Sequence, residues 1–222
     1  MSGLHKLISQ HKADIVSSNF REVSNGFRIG DSPISYSQKE RIEFFEKPLN
    51  ILPKYPIDRT IWNKLYRTKI FQSLRFLPQM ASAEDIVFSW QVRALTNSAV
   101  HTSAVYTFYR KSKTSISSRG VTKGYINDIY YIAKVLDELY IQNKNFSKNI
   151  KTCVKQEIAR TVFKGYVKKT KSLCDETLRR TVKSNFRKLE ENGIFEPCYL
   201  PLKKRVSLHI QKTLNKTHPL FG

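Results

Sequence analysis

The sequence predicts an α/β fold. A mixed sheet with flanking helices occupies residues 1–120, and a mostly helical segment follows over residues 121–222. Two observations carry this. A helical apolar stripe at Leu4, Leu7 and Ile8 runs straight into Ala13-Asp14-Ile15-Val16-Ser17-Ser18-Asn19-Phe20, which reads as a buried strand. From Tyr125 onward the apolar residues recur at helical spacing.

The elements follow in order. Asn25-Gly26 signals a turn, with Phe27-Arg28-Ile29 as the return strand of a hairpin. Residues 37–49 read as a short helix, with Ser37 at the N-cap and Glu40 completing a capping box. Pro48, Pro53 and Pro56 break the chain into a loop, and Thr60 is placed to cap a helix through Trp62 and Leu65 towards Phe71. Arg75-Phe76-Leu77 is extended, and residues 78–83 form a loop. Residues 84–95 make the next helix, with Ile86, Val87, Trp90, Ala94 and Leu95 as its stripe. Residues 99–109 alternate like a strand. Residues 110–124, rich in Ser, Thr, Lys and Arg, suit an exposed loop. Helices are expected over about 127–142, 149–171 and 175–191, the last stopped by Asn192-Gly193. Pro197 and Pro201 mark a further break before a basic tail. No internal repeat is visible.

The charge balance narrows the partners. Lys and Arg total 39 against 18 Asp and Glu, a formal net charge of +21. Such a field attracts nucleic acid, anionic lipid surfaces or phosphorylated substrates without choosing among them. From Lys144 to the end there are 19 basic and six acidic residues, a charge of +13. The basic residues are spread out, with no arginine-rich run or RNA-binding signature. Hydrophobic residues make up 40% of the chain, which excludes a disordered polycation. Cys153, Cys174 and Cys198 lack a C-x-x-C spacing and read as reduced, structural thiols of a cytoplasmic protein. No apolar run approaches the roughly 20 residues of a membrane-spanning helix, and no signal-peptide pattern is present.

Four short motifs stand in sequence order. They are Ile61-Trp62-Asn63-Lys64-Leu65-Tyr66-Arg67, Glu84-Asp85-Ile86-Val87-Phe88, Tyr106-Thr107-Phe108-Tyr109-Arg110 and Thr114-Ser115-Ile116-Ser117. In order and spacing they resemble family 2 glycosyltransferases of the GT-A fold, the type that builds bacterial lipopolysaccharide and capsular polysaccharide. The family pattern is a W-N-K-L-[FY] helix, an E-D-x-x-F helix start, then Y-x-Y-R with a nearby S-x-S. Ala13-Asp14-Ile15-Val16 also resembles the strand that follows the family's metal-binding aspartates. The resemblance covers about residues 4–118 and implies an incomplete GT-A-like mixed sheet.

The resemblance assigns roles that the chemistry explains. Inverting sugar transfer needs a base for the acceptor hydroxyl proton, and a carboxylate within hydrogen-bond reach supplies it. Asp85 is the implied base, with Glu84 beside it as an acceptor-binding group. Acids in a first helical turn also simply stabilise the helix dipole. Trp62 either stacks on an acceptor sugar or packs its helix into the core. Lys64 is expected in an ion pair or capping a carbonyl. Arg110, Lys111, Lys113 and Arg119 either close on a donor diphosphate or form a solvated basic loop. His101 reads as a structural histidine rather than a metal ligand.

Complete members of that family also carry a nucleotide-binding region and a D-x-D type aspartate cluster holding Mg²⁺ or Mn²⁺ on the donor diphosphate. Asp14 and Asp31 are isolated here, and no D-x-D occurs. The resemblance therefore implies an acceptor-side fragment that transfers sugar poorly or not at all alone. It implies a nucleotide-sugar and a glycan or lipid-linked acceptor as partners, and a separate donor-binding domain. The basic helices after Gly124 suit peripheral contact with the anionic inner face of the cytoplasmic membrane, or a solvated helical cap. Two alternatives remain at this stage: a nucleic-acid-binding basic protein, and a non-catalytic subunit that completes a separate donor-binding domain.

Overall fold

The computed structural model describes residues 3–23, 40–46, 60–80, 82–110, 112, 120–168, 170 and 173–214. Among them the chain is α/β, with a four-stranded mixed sheet and seven α-helices. It divides into two compact units. One comprises Met1–Phe76 with Phe88–Arg119, the other Leu77–Val87 with Gly120–Gly222.

The first unit holds the sheet. Helix α1 (Gly3–Gln10) leads into strand β1 (Ile15–Val23), followed by β2 (Ile42–Glu46), β3 (Lys64–Tyr66), the single-turn helix α2 (Thr68–Phe71) and β4 (Ser98–Arg110); of helix α3 (Glu84–Leu95), the part from Phe88 on belongs to this unit and the first four residues to the other. The strand order is β2-β4-β1-β3. β1 runs parallel to β4 and antiparallel to β3, while β2 is antiparallel to β4. Alternation along the strands splits the core between two faces. Val16 and Val100 pack with Leu7, Ile8 and Ala13 on one face. Ile15 and Ala99 pack with Val92, Phe45, Tyr66 and Phe71 on the other.

Two expected helices are corrected. Within the span expected as a helix at 37–49, residues 42–46 form β2, and Glu40 accepts a hydrogen bond from the Thr102 hydroxyl on β4 instead of completing a capping box. Ile42, Phe44 and Phe45 suit a pleated strand, and β4 supplies the backbone partners. Ser37 and the return strand at 27–29 lie outside the described residues. Trp62 and Asn63 form a turn, and residues 64–66 are strand β3; helix begins only at Thr68. Leu65 packs on one face of the sheet and Tyr66 on the other, the two-residue period of a strand. Thr60 donates to Asn63 Oδ1 at 2.7 Å rather than capping a helix.

Helix α3 occupies the expected residues, with a different buried stripe. Ile86, Val87 and Trp90 are buried with Val92, whereas Ala94 and Leu95 are exposed. β4 covers the expected strand and extends one residue at each end.

The second unit is helical: α4 (Lys123–Leu136), α5 (Lys148–Val162), α6 (Glu176–Glu191) and α7 (Leu202–Leu214). Single π-helical segments, Asp137–Ile141 and Phe163–Lys168, extend α4 and α5. Side-chain caps fix three starts: Thr122 Oγ1 accepts from Tyr125 N, Ser147 Oγ from Ile150 N, and Asp175 Oδ1 from Leu178 N. α4 starts four residues before the expected position, because Thr122 rather than a later residue caps it. At the end of α6, Gly193 takes a φ of +67°, which glycine accepts without strain. The expected basic tail after Pro201 is helix α7 over residues 202–214. The core joins Ile126, Ile132 and Leu136 with Val154, Ile158, Tyr166, Phe186 and Leu189.

Candidate active site

The acidic pair sits on a built turn. Glu84 and Asp85 open α3, both half-buried, and residues 77–83 lead into them. Ala83 takes a φ of +58°, a left-handed conformation that non-glycine residues rarely adopt. Its carbonyl accepts from Ile86 N at 3.1 Å, closing the first turn. Helix α4 holds the approach in place. Ser82 Oγ donates to the buried Asp128 carboxylate at 2.9 Å, and Tyr131 donates to Gln79 Oε1 at 3.1 Å. All these groups belong to the second unit.

Trp62 lies before β3, not on a helix. Its indole stacks on Tyr109 with centroids 4.9 Å apart and planes 17° from parallel. Phe20 meets it edge-on at 4.9 Å. Trp62 nonetheless keeps 39% of its surface exposed, so it is neither a core residue nor an isolated platform. The neighbouring Asn63 is buried, with Nδ2 donating to Ser18 O at 2.9 Å and Oδ1 accepting from Lys64 Nζ at 2.8 Å. Lys64 also donates to the Thr60 carbonyl, the capping role expected for it.

The basic group is placed only in part. Arg110 is the exposed last residue of β4, opposite Val23 of β1. Lys111, Lys113 and Arg119 lie outside the described residues, as does the Ser115-Ile116-Ser117 motif. His101 shares a 2.9 Å hydrogen bond with Ser17 Oγ across the parallel strands, in keeping with a structural role.

Asp14 ties three strands together. Its Oδ2 accepts from the backbone N–H groups of Asn97 and Ser98 at 2.8 and 3.1 Å. Its backbone accepts from Arg67 N at 2.9 Å and donates to Ser98 O at 3.0 Å. The Arg67 guanidinium lies 3.8 Å from Oδ1 and donates to Ala13 O at 3.0 Å. With its carboxylate so engaged, Asp14 does not fit a Mg²⁺ or Mn²⁺ site. Among the described residues no group of three His, Cys, Asp or Glu side chains is arranged to hold a metal ion. None of the three cysteines is in a disulfide. Burial raises the half-buried Cys153 thiol above its ordinary value, with Arg160 acting in the opposite direction.

A feature missed in the sequence is a shallow cleft of about 410 Å³ in the first unit. Tyr66, Phe71, Phe76 and Phe88 line it together with Gln72 and Arg75. Phe76 stacks on Phe88 with centroids 4.3 Å apart, and Tyr66 meets Phe71 edge-on at 5.5 Å. Aromatic walls with a few polar groups suit a ligand that has apolar faces and polar edges, as a sugar ring has. The density of aromatics between residues 62 and 88 was the available signal.

No helix among the described residues is long and apolar enough to cross a membrane. Neither a protein-family model nor a curated protein matches the chain.

Proposed function

We propose that the chain supplies the acceptor side of a sugar-transferring enzyme, with Asp85 as the base. The supporting observation is the half-buried Glu84–Asp85 pair on a turn pinned by Asp128 and Tyr131. A carboxylate held in place within hydrogen-bond reach of an alcohol is what proton abstraction requires. The aromatic cleft and the partly exposed Trp62–Tyr109 stack add surfaces of the kind that sugars pack on.

In the proposed reaction an acceptor hydroxyl gives its proton to Asp85 as its oxygen attacks the anomeric carbon of a nucleotide-sugar. The bond from that carbon to the diphosphate oxygen breaks, and its electron pair leaves with the nucleoside diphosphate. The anomeric configuration inverts. The resemblance gives Glu84 and Trp62 as the acceptor-binding residues. Arg110, Lys113 and Arg119 offset the charge on the departing diphosphate. The acceptor is a glycan or a lipid-linked sugar of bacterial surface polysaccharide, built on the cytoplasmic side.

The first test is calorimetry of UDP-sugar binding with and without Mn²⁺ or Mg²⁺. Absence of binding assigns donor binding to a second polypeptide, which a transfer assay must then supply. Metal-dependent binding shows that this chain builds a donor site of its own. In a competent assay, Asp85→Asn is expected to lower turnover by about 10²- to 10⁴-fold while acceptor binding persists. Unchanged turnover removes Asp85 from the role. Failure to bind any glycan in an oligosaccharide array, together with no transfer, overturns the whole reading.

One observation favours a second reading. The outer side of α6 gathers Arg180, Lys183, Arg187 and Lys188 around a shallow cleft of about 350 Å³. A nucleic-acid-binding protein would use such a face. Its affinity for DNA or RNA would then fall steeply with salt as counterions are released.

A further inference from the structure

We propose that helix α7 seats the protein on an anionic membrane surface, with Leu202 and Val206 entering the headgroup layer and Lys203 and Arg205 pairing with lipid phosphates. This goes beyond the sugar-transfer reading and stands without it. Leu202 is 67% exposed and Val206 49% exposed. Among the described large hydrophobic residues with high exposure, Leu202 is the most exposed. They lie four residues apart, so they share one face of the helix. At about 100° per residue, Lys203 and Arg205 fall to either side of that face, and exposed His209 lies on it. Leu208 points the opposite way and is 2% exposed. Lys204 also turns inward, its ammonium 5.8 Å from the centre of the Phe163 ring. Among the described residues of the helix, Leu208 and Lys204 turn inward while Leu202 and Val206 stay exposed.

The flanking charge selects the occupant. An aliphatic stripe bordered by Lys and Arg matches a bilayer interface, where acyl chains lie below a layer of phosphates. A nucleic acid offers the phosphates without an apolar layer to receive Leu202. The chain's net charge of +21, with +13 from Lys144 onward, favours an anionic rather than a neutral lipid surface. Two aliphatic side chains make a shallow, reversible anchor, so binding requires both the apolar stripe and the charges.

The test is co-sedimentation of the full chain with vesicles of phosphatidylcholine alone and of phosphatidylcholine mixed with phosphatidylglycerol. Binding is expected to the mixed vesicles only. The pair Leu202→Ser and Val206→Ser is expected to weaken it by roughly tenfold or more. The pair Lys203→Glu and Arg205→Glu is expected to abolish the preference for anionic lipid. All four side chains are exposed, so circular dichroism should show unchanged folding. Equal vesicle binding by the serine variant overturns the proposal. So does binding to duplex DNA or RNA without binding to vesicles, which makes the face a polyanion site. A dimer that the serine variant dissolves, without vesicle binding, overturns it in favour of self-association.

Discussion

The two units are held together in different ways. In the sheet-bearing unit the decisive contacts join residues far apart in sequence: Asp14 accepts from Asn97 and Ser98, more than 80 positions on. Much of that stitching is polar and buried, with Asn63 reaching the Ser18 carbonyl and Asp14 closing the starts of β1 and β4. In the helical unit, successive helices cap themselves and meet through aliphatic and aromatic side chains. Gly165 shows how closely they pack: a Cβ there would lie 2.7 Å from Ile129 Cγ1. The first unit depends on satisfying buried polar groups, the second on filling space.

The largest expected effect lies in the helical unit. Phe186 is 2% exposed and packs on Phe195 with centroids 5.1 Å apart. Phe186→Ala is expected to cost about 3–5 kcal/mol in urea unfolding, through lost burial and a residual cavity. A cost near that of a surface change would show that this core is looser than its packing indicates. Asp14→Ala comes next, at about 1–3 kcal/mol, because two backbone N–H groups lose their acceptor. Asp14→Asn keeps one acceptor oxygen and should recover part of that. If both variants were neutral, the contrast between the units would fail.

The smallest effect is a pH dependence in the helical unit. Burial raises the Tyr166 phenol above its ordinary value of 10.0. Lys155 is raised above 10.5, chiefly by its hydrogen bond to Glu196. Both folded-state values exceed the unfolded ones. Their contribution is therefore complete below about pH 10 and is lost as pH rises through the folded values. Tyr166→Phe is expected to cost about 1 kcal/mol at neutral pH, since the hydroxyl donates to Ile126 O. It should also flatten the fall in melting temperature above about pH 10. An unchanged alkaline slope would place the titration elsewhere.

The same contrast explains what the sequence made legible. Helices α3 and α6 are local objects, fixed by spacing, caps and a stop glycine, and they lie where the sequence places them. β2 and β3 are not local. Residues 42–46 carry a helical reading until β4 pairs with them, and residues 64–66 become a strand because β1 lies alongside. The site divides in the same way. The Glu84–Asp85 start of α3 was readable from its flanking loop and apolar stripe. The Trp62–Tyr109 stack was not, because it joins the turn before β3 to the far end of β4. The cleft beside Tyr66 and Phe88 was equally hidden, since β3, α2 and α3 build it together.

The register of β4 against β1 slips twice, between Ser18 and Asn19 and again between Asn19 and Phe20. Thr102 faces Ser18, but Val105 faces Asn19 and Thr107 faces Phe20. The surplus length is absorbed where Asn19 donates to the Ser103 carbonyl and Ser103 exchanges hydrogen bonds with Arg41. One continuous strand thus behaves as two independently phased segments. A residue gained or lost after Thr102 would change which side chains stand beside Trp62 while Ala99 and Val100 stayed in the core. The slip is a place where the aromatic surface can be altered by insertion or deletion without redesigning the interior that supports it.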